Sequence, residues 1–369
     1  MPQQFGRFWL HEKVGHGGMA EIFRASVGPD PAAYKFQIAV KRLHPHLISD
    51  RSHVDMFLTE ADVTKFLDHP NLLHVYEAGF VGEQPYIAMD YVWGVDLARL
   101  LDLLRARGSR FPADLAVYTA MQILRGLDYI HRARAPGGEP MEMIHRDITP
   151  ANIFATFDGQ VKIGDFGVAR VSFLEPREES VVLKGKLTHI PPEVVSGDPI
   201  GQSDDLWGLS LCLFEMLTGR GIGQFMDAEA IEMGEALPAV PAIRSVNPEI
   251  DKRLAKILGR ALHPRRKRRP PDAYAYYRLL KAYLRDQGIQ VGQEALGRFV
   301  RNATGAKDPG APPIVPMEDD FEQVGYHAPA GPSMTQRMVV GIQIRRRRIW
   351  PLAIAVTAVA AVAAWLLLF

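Results

Sequence analysis

His145-Arg146-Asp147-Ile148-Thr149-Pro150-Ala151-Asn152 places an acid and an amide five positions apart, and Asp165-Phe166-Gly167 brings a second acid eighteen residues beyond the first. Between them Val161-Lys162-Ile163-Gly164 reads as a short strand, so the two acids sit at either side of one hairpin. Neither half is decisive alone; together, at this spacing, they are not a chance arrangement. The 369 residues are enough for one two-lobed domain with a remainder, and the 47 % hydrophobic content is that of a globular chain with one apolar tail. A net charge of +1 argues for neither nucleic acid nor an acidic polymer as partner, and no nucleic acid is expected. The single cysteine, Cys212, excludes an internal disulfide and a cysteine metal site, and its apolar run Leu209 to Leu217 makes it a buried core residue.

On these motifs the chain resembles the eukaryotic-like Ser/Thr protein kinases of bacteria over roughly residues 8–285. The resemblance implies an α+β, two-lobed protein-kinase-like fold, with a β-rich N-lobe over 8–92 and a helical C-lobe over 93–285. Residues 1–7 are an N-terminal extension. Asp147 is then expected to accept or orient the proton of the attacking hydroxyl, and Asn152 and Asp165 to hold Mg2+, or Mn2+ in its place, on ATP. His145 is expected to be a packed structural histidine and Phe166 to pack between the lobes.

Working outward, Glu12-Lys13-Val14-Gly15-His16-Gly17-Gly18-Met19-Ala20-Glu21-Ile22-Phe23 reads as a strand, a glycine turn and a returning strand. Glycines at 15, 17 and 18 let backbone amides approach phosphate oxygens. Ala20 stands where the family's third glycine falls, and no helix opens after it, which disfavours a dinucleotide fold. The resemblance makes Val14, Gly15, His16, Gly17, Gly18, Met19, Ala20 and Ile22 nucleotide contacts. Alone, Lys41 in Ile38-Ala39-Val40-Lys41 would be a strand lysine reaching solvent; after a glycine loop it is the implied ligand of the α- and β-phosphates. The resemblance also makes Ala39 and Val14 the expected roof over adenine and Phe154 an expected nucleotide contact. Glu60, nine residues before His69, is the implied ion-pair partner of Lys41, with Asp62 its near rival. Met89 is expected at the back of the pocket, and the backbones of Asp90 and Val92 on the adenine edge. Thr64, one turn after Glu60, falls where the family stacks an apolar side chain.

Two departures pair up. Thr149 replaces the lysine that Ser/Thr kinases carry two residues after the catalytic acid, and Lys186 stands where they carry a threonine. Lys186 is therefore expected to supply the missing positive charge to the γ-phosphate region; the alternative is a solvated lysine and a slow enzyme. Val171 to Lys184 is the implied activation segment, with Ser172, Ser180 and Thr188 as candidate phosphorylation sites. Pro191-Pro192-Glu193 replaces Ala-Pro-Glu, and Glu193 is expected to pair with Arg269. Asp205, ahead of the apolar helix 206–218, is expected to cap the catalytic loop.

Beyond the kinase-like region, 286–301 reads as an accessory helix and 302–344 as a Pro/Gly-rich linker. Its 43 residues would span roughly 36 Å if flexible. Arg345 to Arg348 form a basic stop before the uncharged stretch 349–369. Its 20 residues from Trp350 span about 30 Å as a helix, the thickness of a bilayer's hydrocarbon. The positive-inside rule keeps the preceding domain cytoplasmic. Ala353, Thr357 and Ala361 form a small-residue face that could pair two such helices into a homodimer. The expected function is a membrane-anchored kinase acting on protein Ser/Thr hydroxyls and on itself. The rivals are an ATP-binding membrane scaffold that transfers phosphate negligibly and a small-molecule kinase of the same fold.

Overall fold

Side chains along Gln37–Leu43 alternate between two cores, as the period of a strand demands. Ile38 and Val40 join one core cluster with Phe8 and Tyr86, while Ala39 joins another with Met89 and Phe57. Lys41 shares the side of Ala39, so the same alternation that builds the core aims the ammonium at the site. The computed structural model describes residues 1–28, 37–135, 137–165, 189–233 and 236–306, without the side chains of 228 and 232.

Strands β1 (Gln3–Phe5), β2 (Phe8–His16), β3 (Ala20–Val27), β4 (Gln37–Leu43), β5 (Val75–Val81) and β6 (Gln84–Asp90) form one antiparallel sheet in the order β1-β2-β3-β4-β6-β5. Residues 1–7 are thus not an extension outside the lobe: Gln3 to Phe5 pair with Leu10 to Phe8, and Phe5 packs edge-on against Tyr86 at 5.8 Å. Helix α1 (Arg51–Thr64) starts at Asp50, whose carboxylate accepts the Ser52 N–H at 2.8 Å, and it buries Phe57, Leu58, Ala61 and Thr64.

The second lobe opens with a three-stranded sheet of β7 (Gly94–Asp96), β8 (Ile153–Thr156) and β9 (Val161–Ile163). Around it stand α2 (Leu97–Ala106), α3 (Ala113–His131), α4 (Gln202–Thr218), α5 (Lys252–Ala261), α6 (Ala273–Asp286) and α7 (Gln293–Thr304). Helix α4 is buried from Asp204 to Thr218, and it begins four residues earlier than the apolar run alone indicates. Gly208 makes it a seat for the catalytic loop, since a Cβ there would lie 2.6 Å from the Ile148 carbonyl oxygen. Cys212, one turn on, is fully buried, and burial pushes its thiol well above the ordinary range. Helix α7 takes in the first three residues of the expected linker, 302–304, and ends at Gly305, whose φ of 75° is left-handed.

Among the described residues no helix is long and apolar enough to cross a membrane. The expected span 349–369, its basic stop, all of the linker beyond Ala306, Lys186, Phe166, Ser172, Ser180 and Thr188 lie outside them.

Glu193 and Arg269 form the expected pair, with Nη1 to Oε1 and Nη2 to Oε2 both at 2.7 Å. Arg269 is 2 % exposed, and its guanidinium lies 4.6 Å over the Trp207 ring. Arg266 adds a third bond to Glu193 at 3.1 Å. Burial alone would raise the Glu193 carboxyl, but the two arginines hold it below its ordinary value of 4.5. A depressed folded-state pKa contributes stability above the unfolded value, and that contribution is lost as pH falls through the folded one. Arg269→Met is therefore expected to cost about 3 kcal/mol at neutral pH, measured by denaturant unfolding. The gap to the unaltered chain should narrow below pH 4.5; a gap independent of pH would assign the loss to packing on Trp207 instead.

Candidate active site

Lys41 on β4 reaches two carboxylates from distant parts of the chain: Glu60 Oε1 on α1 at 3.0 Å and Asp165 Oδ1, two residues after β9, at 2.7 Å. Its side chain and that of Glu60 are each 13 % exposed. Burial alone would lower the lysine's pKa; the facing charges of Asp165 and Glu60 outweigh it and hold the ammonium above its ordinary range. Burial raises the Glu60 carboxyl, against the pull of Lys41. Asp62, the rival of Glu60, pairs with Lys65 at 3.1 Å and leaves the site to Glu60. Asp165 has a φ of 52°, a left-handed backbone that Asp tolerates better than most residues.

The glycine turn joins β2 to β3, closed by Gly17 N–H to the Ala20 carbonyl at 2.9 Å. Ile22 pairs in register with Lys41, so the returning strand lies beside the ammonium. A Cβ at Gly18 would meet nothing within 4 Å and one at Gly17 only the Ala20 carbonyl at 3.7 Å, which leaves that edge open to a ligand. Val14 is 45 % exposed, whereas Ala39 and Met89 are buried and paired in register across β4 and β6. His16 and Met19 belong to the turn, and one residue outside it holds the turn down. His44 Nε2–H donates to the Gly17 carbonyl at 2.9 Å, and its backbone N–H donates to the Met19 carbonyl at 2.8 Å. The His44 ring also meets His16 edge-on at 5.2 Å and stacks on His46 at 5.4 Å. No sequence pattern announces His44, because its partner is a carbonyl 27 residues away.

On the far side, Asp90 ends β6 and Val92 lies in the link to β7. The Asp90 carboxylate accepts from Tyr76 Oη at 2.6 Å and from Lys162 Nζ at 2.9 Å, the latter on β9 of the other lobe. Burial, then the Asp90 charge, drives the Tyr76 phenol upward. Asp90 was expected to act through its backbone; its side chain also ties the lobes together. Phe154, on β8, lies against Gly164, where a Cβ would sit 3.1 Å from its ring.

The catalytic loop hangs from Asp205, which is 1 % exposed. Its Oδ2 accepts the His145 N–H at 2.9 Å and lies 2.7 Å from His131 Nε2, while its Oδ1 accepts the Arg146 N–H at 2.7 Å. These bonds hold Arg146 at a φ of 70°, a conformation that costs a non-glycine residue of order 1 kcal/mol. His145 is fully buried, and burial lowers its pKa, so its ring is neutral: Nε2–H donates to the Gly164 carbonyl at 3.1 Å and Nδ1 accepts the Asp147 N–H at 3.3 Å. Asn152 donates Nδ2–H to the Asp147 carbonyl at 2.9 Å and accepts the Gly164 N–H on its own carbonyl at 2.9 Å. Asn152 is thereby fixed between Asp147 and the residue preceding Asp165. With Nδ2 donated inward, the amide oxygen of Asn152 and the carboxylate of Asp165 form an all-oxygen donor pair that fits Mg2+. That ion takes one or two protein ligands and completes its shell with phosphate oxygens and water.

Thr64 is 3 % exposed and lines a cavity of about 20 Å³ with Met89, Leu73 and the charged trio. Its hydroxyl donates to the Glu60 carbonyl at 2.7 Å, so the polar group is satisfied within α1 although the position is packed between lobes.

The protein kinase domain model matches residues 8–276. The chain is 32 % identical over 308 residues to the tyrosine-protein kinase MasK of Myxococcus xanthus, covering 82 % of this chain and 47 % of that one. It is 30 % identical to the serine/threonine-protein kinase PknA of Corynebacterium glutamicum, covering 70 % and 52 %. The chain thus spans about half the length of these relatives. The solved kinase domain of PknI from Mycobacterium tuberculosis superposes with a TM-score of 0.57 at 22 % identity, covering 76 % of this chain and 98 % of that one. A glycine turn, a lysine shared between two carboxylates and a buried aspartate under the catalytic loop, over a match of this length, leave one conclusion: the chain belongs to the protein kinase family.

Proposed function

We propose that the chain transfers the γ-phosphate of Mg-ATP to Ser/Thr hydroxyls of proteins, itself included. The observation that carries this reading is the assembled trio of Lys41, Glu60 and Asp165, bonded at 3.0 and 2.7 Å beside the loop that presents Asp147. Lys41 would hold the α- and β-phosphates and the turn 15–20 would cover them with backbone amides. Mg2+ held by Asn152 and Asp165 would neutralise charge on the transferring group. Asp147 would take the hydroxyl proton as the new oxygen–phosphorus bond forms and the bond to the departing ADP oxygen breaks. Lys186 is proposed to restore the positive charge that Thr149 lacks.

Relatives named as serine/threonine kinases support the choice of hydroxyl. A second reading, transfer to tyrosine, is favoured by Thr149 in place of the Ser/Thr marker lysine and by the similarity to a kinase named for tyrosine. We further propose that Arg345 to Arg348 and the apolar stretch 349–369 anchor the kinase on the cytoplasmic side of the cell membrane, with pairing through Ala353, Thr357 and Ala361.

Incorporation of labelled γ-phosphate into a generic protein substrate and into the chain, with phosphoamino-acid analysis, tests the reading. Asp147→Asn is expected to lower transfer at least about a hundredfold. Nucleotide binding without transfer in the unaltered chain would favour a scaffold, and phosphotyrosine alone would favour the second reading. Lys186→Ala should reduce kcat about tenfold; unchanged turnover would eliminate its role. His44→Phe keeps the ring contacts and removes the donor to Gly17. It should raise KM for ATP about fivefold, the effect of one hydrogen bond, with kcat nearly unchanged and partial rescue by His44→Gln.

A further inference from the structure

A groove of about 620 Å³ lies between the end of α1, α3 and the first turns of α6. Its walls are aromatic. Phe66 is 44 % and Tyr274 49 % exposed, and Tyr274 stacks with Tyr277 at 6.5 Å. Each of these rings carries a cation: Lys65 over Phe66 at 5.2 Å, Arg132 over Tyr274 at 5.8 Å and Lys281 over Tyr277 at 5.8 Å. Among the described residues lining it are Arg125, Arg132 and Arg134 against one carboxylate, Asp128, which is already paired with Arg132 at 2.8 Å. An exposed aromatic floor with surplus guanidinium groups fits an acidic peptide that carries an apolar side chain.

The chain contains such a peptide. Pro316-Met317-Glu318-Asp319-Asp320-Phe321-Glu322 sets four acids around one phenylalanine. It begins within reach. Phe299 on α7 lies 4.7 Å from Phe111, just ahead of α3. Leu124, at the groove, is 11 residues along α3 from Ala113, about 17 Å at the helical rise. Ala306 is seven residues beyond Phe299, about 10 Å more at that rise, and the 11 residues from Ala306 to Met317 can extend over about 37 Å, longer than the two legs together.

We propose that this groove is the docking site for the chain's own acidic segment 316–322, with Phe321 against the aromatic floor and the four acids among the arginines. Docking would tether the linker to the kinase domain, against the end of the helix that carries Glu60. The proposal is independent of the phosphoryl-transfer reading.

The test uses the full-length chain, purified in detergent, with Ala133→Cys in the groove and Gln323→Cys beside the acidic segment. Cys212 is fully buried, so it adds no background. A short bismaleimide should join the two within one chain at high dilution, detected as a cross-linked peptide pair. Asp319→Lys with Asp320→Lys should cut the yield about tenfold, and adding Arg125→Glu with Arg132→Glu should restore it. A control pair replaces Ala133→Cys by Glu249→Cys, an exposed position off the groove. Cross-linking no greater than this control, cross-links only between chains, or a yield indifferent to the charge exchanges would each overturn the proposal.

Discussion

One ammonium group answers to two carboxylates. Lys41 is held by Glu60 from α1 and by Asp165 from beyond β9, so strand, helix and hairpin must all be in place for both bonds to exist together. With burial opposing the charges of Lys41 and Glu60, each of these two ions is tolerable only in the company of its partners. Removing one partner leaves a buried charge uncompensated, which makes the position of α1 a property of the whole site and not of the helix alone.

Around that trio the molecule divides its fixed parts from its movable ones. The Asp90 carboxylate binds Lys162 across the lobes and Tyr76 within one. Asp205 binds the backbone of His145 and Arg146 from beneath. Both are buried carboxylates that accept several charge-assisted or amide hydrogen bonds, the strong kind of polar contact. Among the described residues the glycine turn has no such anchor. Beyond its own strand pairing it is held by the imidazole and amide of His44 on two carbonyls.

Most of the candidate site was legible because its members stand at fixed separations in the chain. Asp147, Asn152 and Asp165 are joined by one hairpin, and the alternation of Gln37–Leu43 already decides which way Lys41 points. Glu60, with Asp62 as its rival, followed from the distance to His69 that the family keeps, and the Glu193–Arg269 pair from family position. The residues that escaped are those whose role is made by a distant contact. His44 precedes a short turn and looks like loop; Tyr76 and Lys162 look like strand surface; Phe5 looks like a frayed terminus until β1 is seen paired with β2. Thr64 reads as a packing fault, and its bond to the Glu60 carbonyl removes the polar part of that fault. Charge placement explains the rest: a carboxylate at the end of a strand declares itself in sequence, but not which lysine it will meet.

The suspension of the catalytic loop from Asp205 has a kinetic consequence. For the amides of His145 and Arg146 to meet solvent, they must leave a carboxylate that is itself sealed in α4, the most deeply buried helix of the lobe. Those two protons therefore exchange only when the helix lets go, on the slow clock of global unfolding, while the amides of the glycine turn exchange on the fast clock of a hairpin tip. The loop that carries Asp147 and the glycine turn thus lie at opposite ends of one molecule's time scale, the first opening only with the helix beneath it and the second opening alone.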